Sequence, residues 1–181
     1  WATRVWWMLR AIGFDSASVL DGGFDKWQSE GRRTTVAIQK YPAATLTARA
    51  RSDLFCDSAA VVSAMDEPRT CIVNALRGSL HDGSEAVNYG RPGRIPSSVS
   101  VPGISLLDPK TKAYLPLPEL ERIFAEVGAL EAEKVVIYCG GGIAATSDAF
   151  TLMRLGQDAV TVYDASMSEW AKDPSLPMET G

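Results

Sequence analysis

The apolar residues of this chain fall into two spacings. Short unbroken runs at Cys71-Ile72-Val73-Asn74-Ala75, Lys134-Val135-Val136-Ile137-Tyr138 and Ala159-Val160-Thr161-Val162-Tyr163 have the length and β-branched content of buried strands. Between and around them lie stretches with helical spacing. Asp57 can cap a helix from Ser58 to about Met65, and Pro118 to Val127 is amphipathic. Ala145 to Leu155 is apolar at Ala149, Leu152, Met153 and Leu155, and Gly156 follows at the position that closes a helix. A Gly/Asp/Ser-rich loop runs from Arg77 to Pro96 and leads to an extended piece at Val99–Val101. Alternating strands and helices predict an α/β fold, a mainly parallel sheet with helices on both faces.

Sliding the chain on itself shows an internal repeat. Residues 1–27 match residues 144–170 without a gap, with identical pairs Ala2/Ala145, Thr3/Thr146, Leu9/Leu152, Gly13/Gly156, Asp15/Asp158, Val19/Val162, Asp21/Asp164 and Trp27/Trp170. Each copy reads as helix, Gly turn, short strand and second helix. The first copy has nothing upstream to pair with its expected strand around Ser18–Leu20, and its Trp-rich helix lacks a cover. Residues 1–35 therefore read as the C-terminal remnant of a first domain, 36–50 as a linker, and 51–181 as a complete second domain. The missing front half is expected either to have been cut away or to exist as a separate chain.

Composition narrows the function classes. With 181 residues, 46% hydrophobic, 22% charged and a net charge of -4, the chain reads as globular, with no basic run for nucleic acid or an anionic membrane. No stretch reaches the roughly 20 apolar residues of a membrane span. Cys56, Cys71 and Cys139 are odd in number and widely spaced, with His81 the only imidazole, so neither a metal site nor a disulfide framework is expected. No cofactor is implied, and the cysteine usage suits a reducing, cytoplasmic setting.

Cys139 carries the chemistry. It stands at the carboxyl end of an apolar strand, ahead of Gly140, Gly141, Gly142, Ile143 and Ala144 and then a helix, where α/β folds bind ligands. Three glycines let the loop curl until several backbone N–H groups face the sulfur, and the helix N-terminus adds its positive end. Such a cradle favours a thiolate and then an anionic product such as a persulfide. Three other readings fit less well. A mere core cysteine needs no triple-glycine loop. A phosphate-binding P-loop would need Gly-Lys-Ser/Thr, and a Cys phosphatase needs an Arg that Gly140–Ser147 lacks.

Four segments carry a resemblance: Val-Leu-Asp-Gly-Gly-Phe-Asp-Lys-Trp at 19–27, Gly-Arg-Ile-Pro-Ser-Ser-Val-Ser-Val-Pro at 93–102, the loop opened by Cys139, and Tyr-Asp-Ala-Ser-Met-Ser-Glu-Trp at 163–170. Together they resemble the rhodanese family, in particular its tandem-domain thiosulfate and 3-mercaptopyruvate sulfurtransferases. The resemblance implies a sulfurtransferase in which Cys139 takes sulfur from a small anionic donor and passes it to cyanide, a thiol or a protein. Family members preferring thiosulfate are basic just after the Cys, and those preferring mercaptopyruvate usually carry Ser at the place of Gly141. This chain meets neither pattern, so the donor stays open between thiosulfate and 3-mercaptopyruvate. Asn74 replaces the usual acidic residue, and Leu76 and Leu80 stand where the family carries substrate-binding Arg. Arg94 and, less directly, Arg91 are then the expected donor-binding cations; His81 and Arg77 have weaker claims. The rival reading is a non-catalytic rhodanese module for binding or regulation, which an occluded Cys139 would favour.

Overall fold

Pairing partners decide which apolar runs become strands. The computed structural model of the chain describes residues 1–85 and 89–181; 86–88, inside the expected 77–96 loop, lie outside the described residues. Helices α1 (Ala2–Ala11) and α2 (Gly23–Ser29) come first. Then follow β1 (Phe55–Cys56), α3 (Ser58–Met65), β2 (Thr70–Asn74), α4 (Gly78–His81), β3 (Val99–Ser100), α5 (Leu117–Glu126), β4 (Lys134–Tyr138), α6 (Ala145–Arg154), β5 (Val160–Tyr163) and α7 (Ser166–Trp170). The five strands form one parallel sheet in the order β1-β5-β4-β2-β3, with β2 and β4 in register from Thr70 opposite Lys134 to Asn74 opposite Tyr138.

The expected α/β architecture is what the chain forms. Side chains of β4 alternate between two cores. Val135 and Ile137 pack with Trp7, Leu120, Phe124, Ala149 and Leu152 beneath α1, α5 and α6, whereas Val136 and Tyr138 pack with Val61, Met167 and Trp170 beneath α3 and α7. Each such side chain removed from water contributes about 1.5–3 kcal/mol, which is why a central strand is apolar on both faces. The predicted caps also form: Asp57 accepts a hydrogen bond from the Ala60 amide at 2.9 Å, and Gly156 follows α6 with a φ of +87°.

One expected element is absent. Residues 18–20 form no strand, although the matching residues 161–163 lie in β5. β5 is held between β4 and β1, whereas 18–20 have no strand beside them among the described residues. Residues 36–50 are exposed and without regular structure. The chain is tied back where the Arg49 and Arg51 amides donate to the Ile12 and Ala11 carbonyls at 2.8 Å and Arg51 pairs with Asp15.

The N-terminal copy docks on the sheet domain through its first helix. α1 lies against α6, Trp7 is fully buried with its indole N–H on the Leu54 carbonyl at 3.0 Å, and Trp6 meets Phe150 edge-on at 5.0 Å. The hydroxyls of Thr3 and Thr146, equivalent residues of the two copies, are 3.2 Å apart.

Candidate active site

Because all strands run the same way, the loops after β2, β4 and β5 gather at one edge of the sheet. Cys139 is the first residue past β4, on the α1/α6 side of the sheet, and only 2% exposed. Its loop is held open by outward ties. The Ser166 hydroxyl accepts from the Cys139 amide at 3.0 Å and donates to the Tyr163 carbonyl at 2.7 Å. The Cys139 carbonyl accepts from the Met167 amide at 3.1 Å, and the Gly140 carbonyl accepts from both the amide and the hydroxyl of Ser168.

The other half of the loop is gripped from the opposite side. Arg4 of α1 donates to the Gly142 carbonyl at 3.3 Å, and Thr146 donates to the Ile143 carbonyl at 2.7 Å. With these four carbonyls turned outward, the amides of Gly140, Gly141, Gly142, Ile143 and Ala144 have no hydrogen-bond acceptor among the described residues. Five consecutive N–H groups are thus left without an acceptor in the loop that follows Cys139, and α6 starts at the end of that loop.

Two glycines are required here by contact. A Cβ on Gly142, which has a φ of +71°, would lie 2.5 Å from Asp164 Oδ1 and 2.9 Å from Arg4 Nη1. A Cβ on Gly140 would lie 2.1 Å from the hydroxyl of Tyr89, so the phenol rests directly on the residue after Cys139. That contact explains why this chain has no side chain at 140. Gly141 faces more open space, with Ser168 Oγ the nearest neighbour at 3.7 Å from such a Cβ.

The two arginines expected to hold the donor are engaged elsewhere. Arg91 donates to the carbonyls of Trp170, Ala171, Asp173 and Leu176, locking its loop to the segment after α7. Arg94 pairs with Glu179 and donates to the Gly181 carbonyl, pinning the C-terminal tail. Most of Arg91's five N–H donors and two of Arg94's are taken up inside the fold, where both arginines act as anchors. Arg77 is likewise paired in a fork with Glu85, which is held at about 2, first by that hydrogen bond. His81 lies near Arg94, and burial lowers its affinity for a proton. Leu80 is buried and Leu76 half-buried, so both act in packing. Asn74 is fully buried, its side-chain oxygen accepting from the Leu76 amide at 2.9 Å.

Three residues that touch the loop escaped the sequence reading: Arg4, Tyr89 and Ser166. Ser166 was detectable, because it occupies the place of Gly23 in the repeat and both adopt a left-handed φ, +51° and +61°. Asp148, away from the loop's hydrogen bonds, lies four residues before Leu152 on the buried stripe of α6. It is fully buried with no partner for either oxygen among the described residues, and burial raises its pKa well above the usual carboxyl range. The other two cysteines behave as packing residues. Burial pushes the Cys71 thiol up to about 11 and raises that of Cys56, keeping both protonated. No cluster able to hold a metal ion occurs among the described residues.

A family model described as the rhodanese-like domain matches residues 69–173. The chain belongs to the rhodanese family. Curated relatives include thiosulfate/3-mercaptopyruvate sulfurtransferase 1, mitochondrial, of Arabidopsis thaliana, 30% identical over 202 residues that take in 99% of this chain and 53% of that protein. Another is the 3-mercaptopyruvate sulfurtransferase of Rattus norvegicus, 30% identical across 93% of this chain and 57% of that one. This rhodanese chain thus spans little more than half the length of these relatives. Among solved structures, an anaerobic ergothioneine biosynthesis enzyme from Chlorobium limicola in complex with trimethyl histidine has a TM-score of 0.85 at 24% identity, covering 99% of this chain and 45% of that one. At that identity the likeness concerns the fold alone.

Proposed function

We propose that this chain carries the catalytic domain of a sulfurtransferase that moves sulfane sulfur through a persulfide on Cys139. The observation that carries the reading is the row of free amides from Gly140 to Ala144 around a strand-end cysteine. The Cys139 thiolate attacks the outer sulfur of an anionic donor. An S–S bond forms to Cys139 as the donor's own bond to that sulfur breaks, and the leaving group departs with the electron pair. Thiosulfate then leaves as sulfite; 3-mercaptopyruvate leaves as pyruvate after its carbon takes a proton. A thiol, cyanide or protein nucleophile next removes the outer sulfur and returns Cys139 as thiolate. The amide nest stabilises the anionic persulfide between the two steps.

With Arg91 and Arg94 engaged, recognition of the donor falls to the nest itself and to the Tyr89 hydroxyl beside Gly140. Because Cys139 is only 2% exposed, a donor must present its sulfur on a slender end, a requirement thiosulfate meets with the least bulk. The same burial favours a second reading, a rhodanese module that binds without turnover. Mass spectrometry after incubation with thiosulfate or 3-mercaptopyruvate separates the two: one added sulfur, about 32 Da, is expected on Cys139. A chain left unmodified by both donors, with its thiol shown to be free, would sink the sulfurtransferase reading. Cys139→Ser should keep the fold and lose turnover, since an alcohol without an adjacent base is a far weaker nucleophile.

The repeat supports a companion proposal, that residues 1–35 end a first rhodanese-like domain of the parent protein. The outer face of α1 carries Val5, Met8 and Ile12, all exposed, whereas the matching Asp148 and Thr151 of α6 are fully buried. Replacing Val5 and Met8 together by Glu should leave this chain's stability nearly unchanged and destabilise a full-length parent by several kcal/mol. Equal effects in chemical denaturation of the two would count against the pairing.

A further inference from the structure

We infer that Arg4 of the N-terminal copy is a positioning residue for the Cys139 loop, tuning the reactivity of the sulfur through one peptide group. The inference rests on Cys139 being the nucleophile. The Gly142–Ile143 peptide has its carbonyl on the Arg4 guanidinium, while its N–H, that of Ile143, is one of the free donors of the nest. A cation on the carbonyl end polarises the peptide and makes its N–H a stronger donor toward the sulfur.

The guanidinium is held for this task from three sides. It pairs with Asp164 at the end of β5, lies over the Phe55 ring at 5.3 Å, and is mostly shielded from solvent. One residue earlier, Thr3 meets Thr146, whose hydroxyl donates to the next carbonyl, that of Ile143. Two adjacent residues of α1 therefore fix two successive peptides of the active-site loop. Where the sequence lacks a basic residue after Cys139, a cation from 138 positions before Gly142 is delivered to the back of the same loop.

Asp164 sets the sign of the test. Its carboxylate neutralises Arg4 and would sit 2.5 Å from a Cβ on Gly142, so removing it leaves the loop beside an unopposed cation. The readout is the rate of Cys139 alkylation by iodoacetamide as a function of pH, followed by mass spectrometry on the full chain. Relative to the unmodified chain, Arg4→Gln should move the midpoint of that profile to higher pH by roughly half a unit, and Asp164→Asn should move it the other way. Arg4→Lys should restore most of the difference. Arg10→Gln is the control on the same helix: Arg10 packs over Trp6 and pairs with Asp15, away from the loop, and should leave the midpoint in place.

Displacement in the same direction by Arg4→Gln and Asp164→Asn, or no displacement, would overturn the inference, since loss of docking alone has no opposite sign. If Arg4→Gln fails to fold, Asp164→Asn and Arg4→Lys still decide it, because both retain the cation. A chain whose Cys139 resists alkylation at every pH would instead remove the sulfurtransferase reading.

Discussion

Residues 1–27 and 144–170 share a pattern but not an environment. In the second copy the segment after the Gly turn becomes β5, flanked by β4 and β1; in the first, the matching residues stay unpaired. Val19 and Val162 are identical, so β-propensity does not separate them. Strand formation here is decided by what lies alongside. The same holds for helices α1 and α6, where Val5 faces solvent and its counterpart Asp148 is wholly buried.

The sharpest way to break the comparison is to give the second copy the first copy's residue. Asp148→Val should raise stability by about 2 kcal/mol at pH 7, because a buried carboxyl without a partner is replaced by an apolar group. The native carboxyl holds its proton to higher pH than the unfolded one. Its contribution is therefore fully present below about pH 4 and is lost as pH rises toward the raised folded value. The gain from Asp148→Val should accordingly shrink when urea denaturation is repeated near pH 4; a loss of stability at pH 7 would show that the carboxyl has a partner.

Ser166 and Gly23 give a second, smaller exchange. Ser166→Ala should cost about 1.5 kcal/mol, losing the bonds to the Cys139 amide and the Tyr163 carbonyl while keeping the left-handed backbone. Ser166→Gly should cost about 1 kcal/mol less than Ser166→Ala, since glycine relieves that backbone. Equal losses in thermal unfolding would mean that Ser166 stores no backbone strain. The smallest effect belongs to Asp21, which accepts from the Tyr114 amide at 2.8 Å on an exposed surface. Asp21→Ala should cost about 0.5–1 kcal/mol, and protection of the Tyr114 amide from hydrogen exchange should fall with it.

Much of this molecule was legible in advance, and the reason is physical. Three apolar runs and three amphipathic stretches marked the central strands and long helices, because burial on both faces or one face sets those periods. Cys139 stands out in the sequence as the candidate nucleophile because a strand end followed by three glycines has few other uses. The two-residue strand β1 carries too little pattern to be seen, whereas β3 falls within the extended piece expected at Val99–Val101. The roles of Arg91 and Arg94 were hidden for another reason: an arginine's partners are backbone carbonyls and a tail residue more than 75 positions away, which sequence spacing does not encode. Arg4 was hidden likewise, since its target lies in the other copy.

The contact between Thr3 and Thr146 has one more consequence. A contact between equivalent residues of two copies is what a two-fold relation between them produces. The flanking contacts follow the same relation: Arg4 meets Asp164, and its counterpart Ser147 is linked to the counterpart Asp21 through Tyr114, whose hydroxyl reaches Ser147 at 2.8 Å. A long side chain on one side is balanced by a short one plus a tyrosine splint on the other. The docking of α1 on α6 thus sets like residues of two matching segments against one another, the arrangement an isologous contact has.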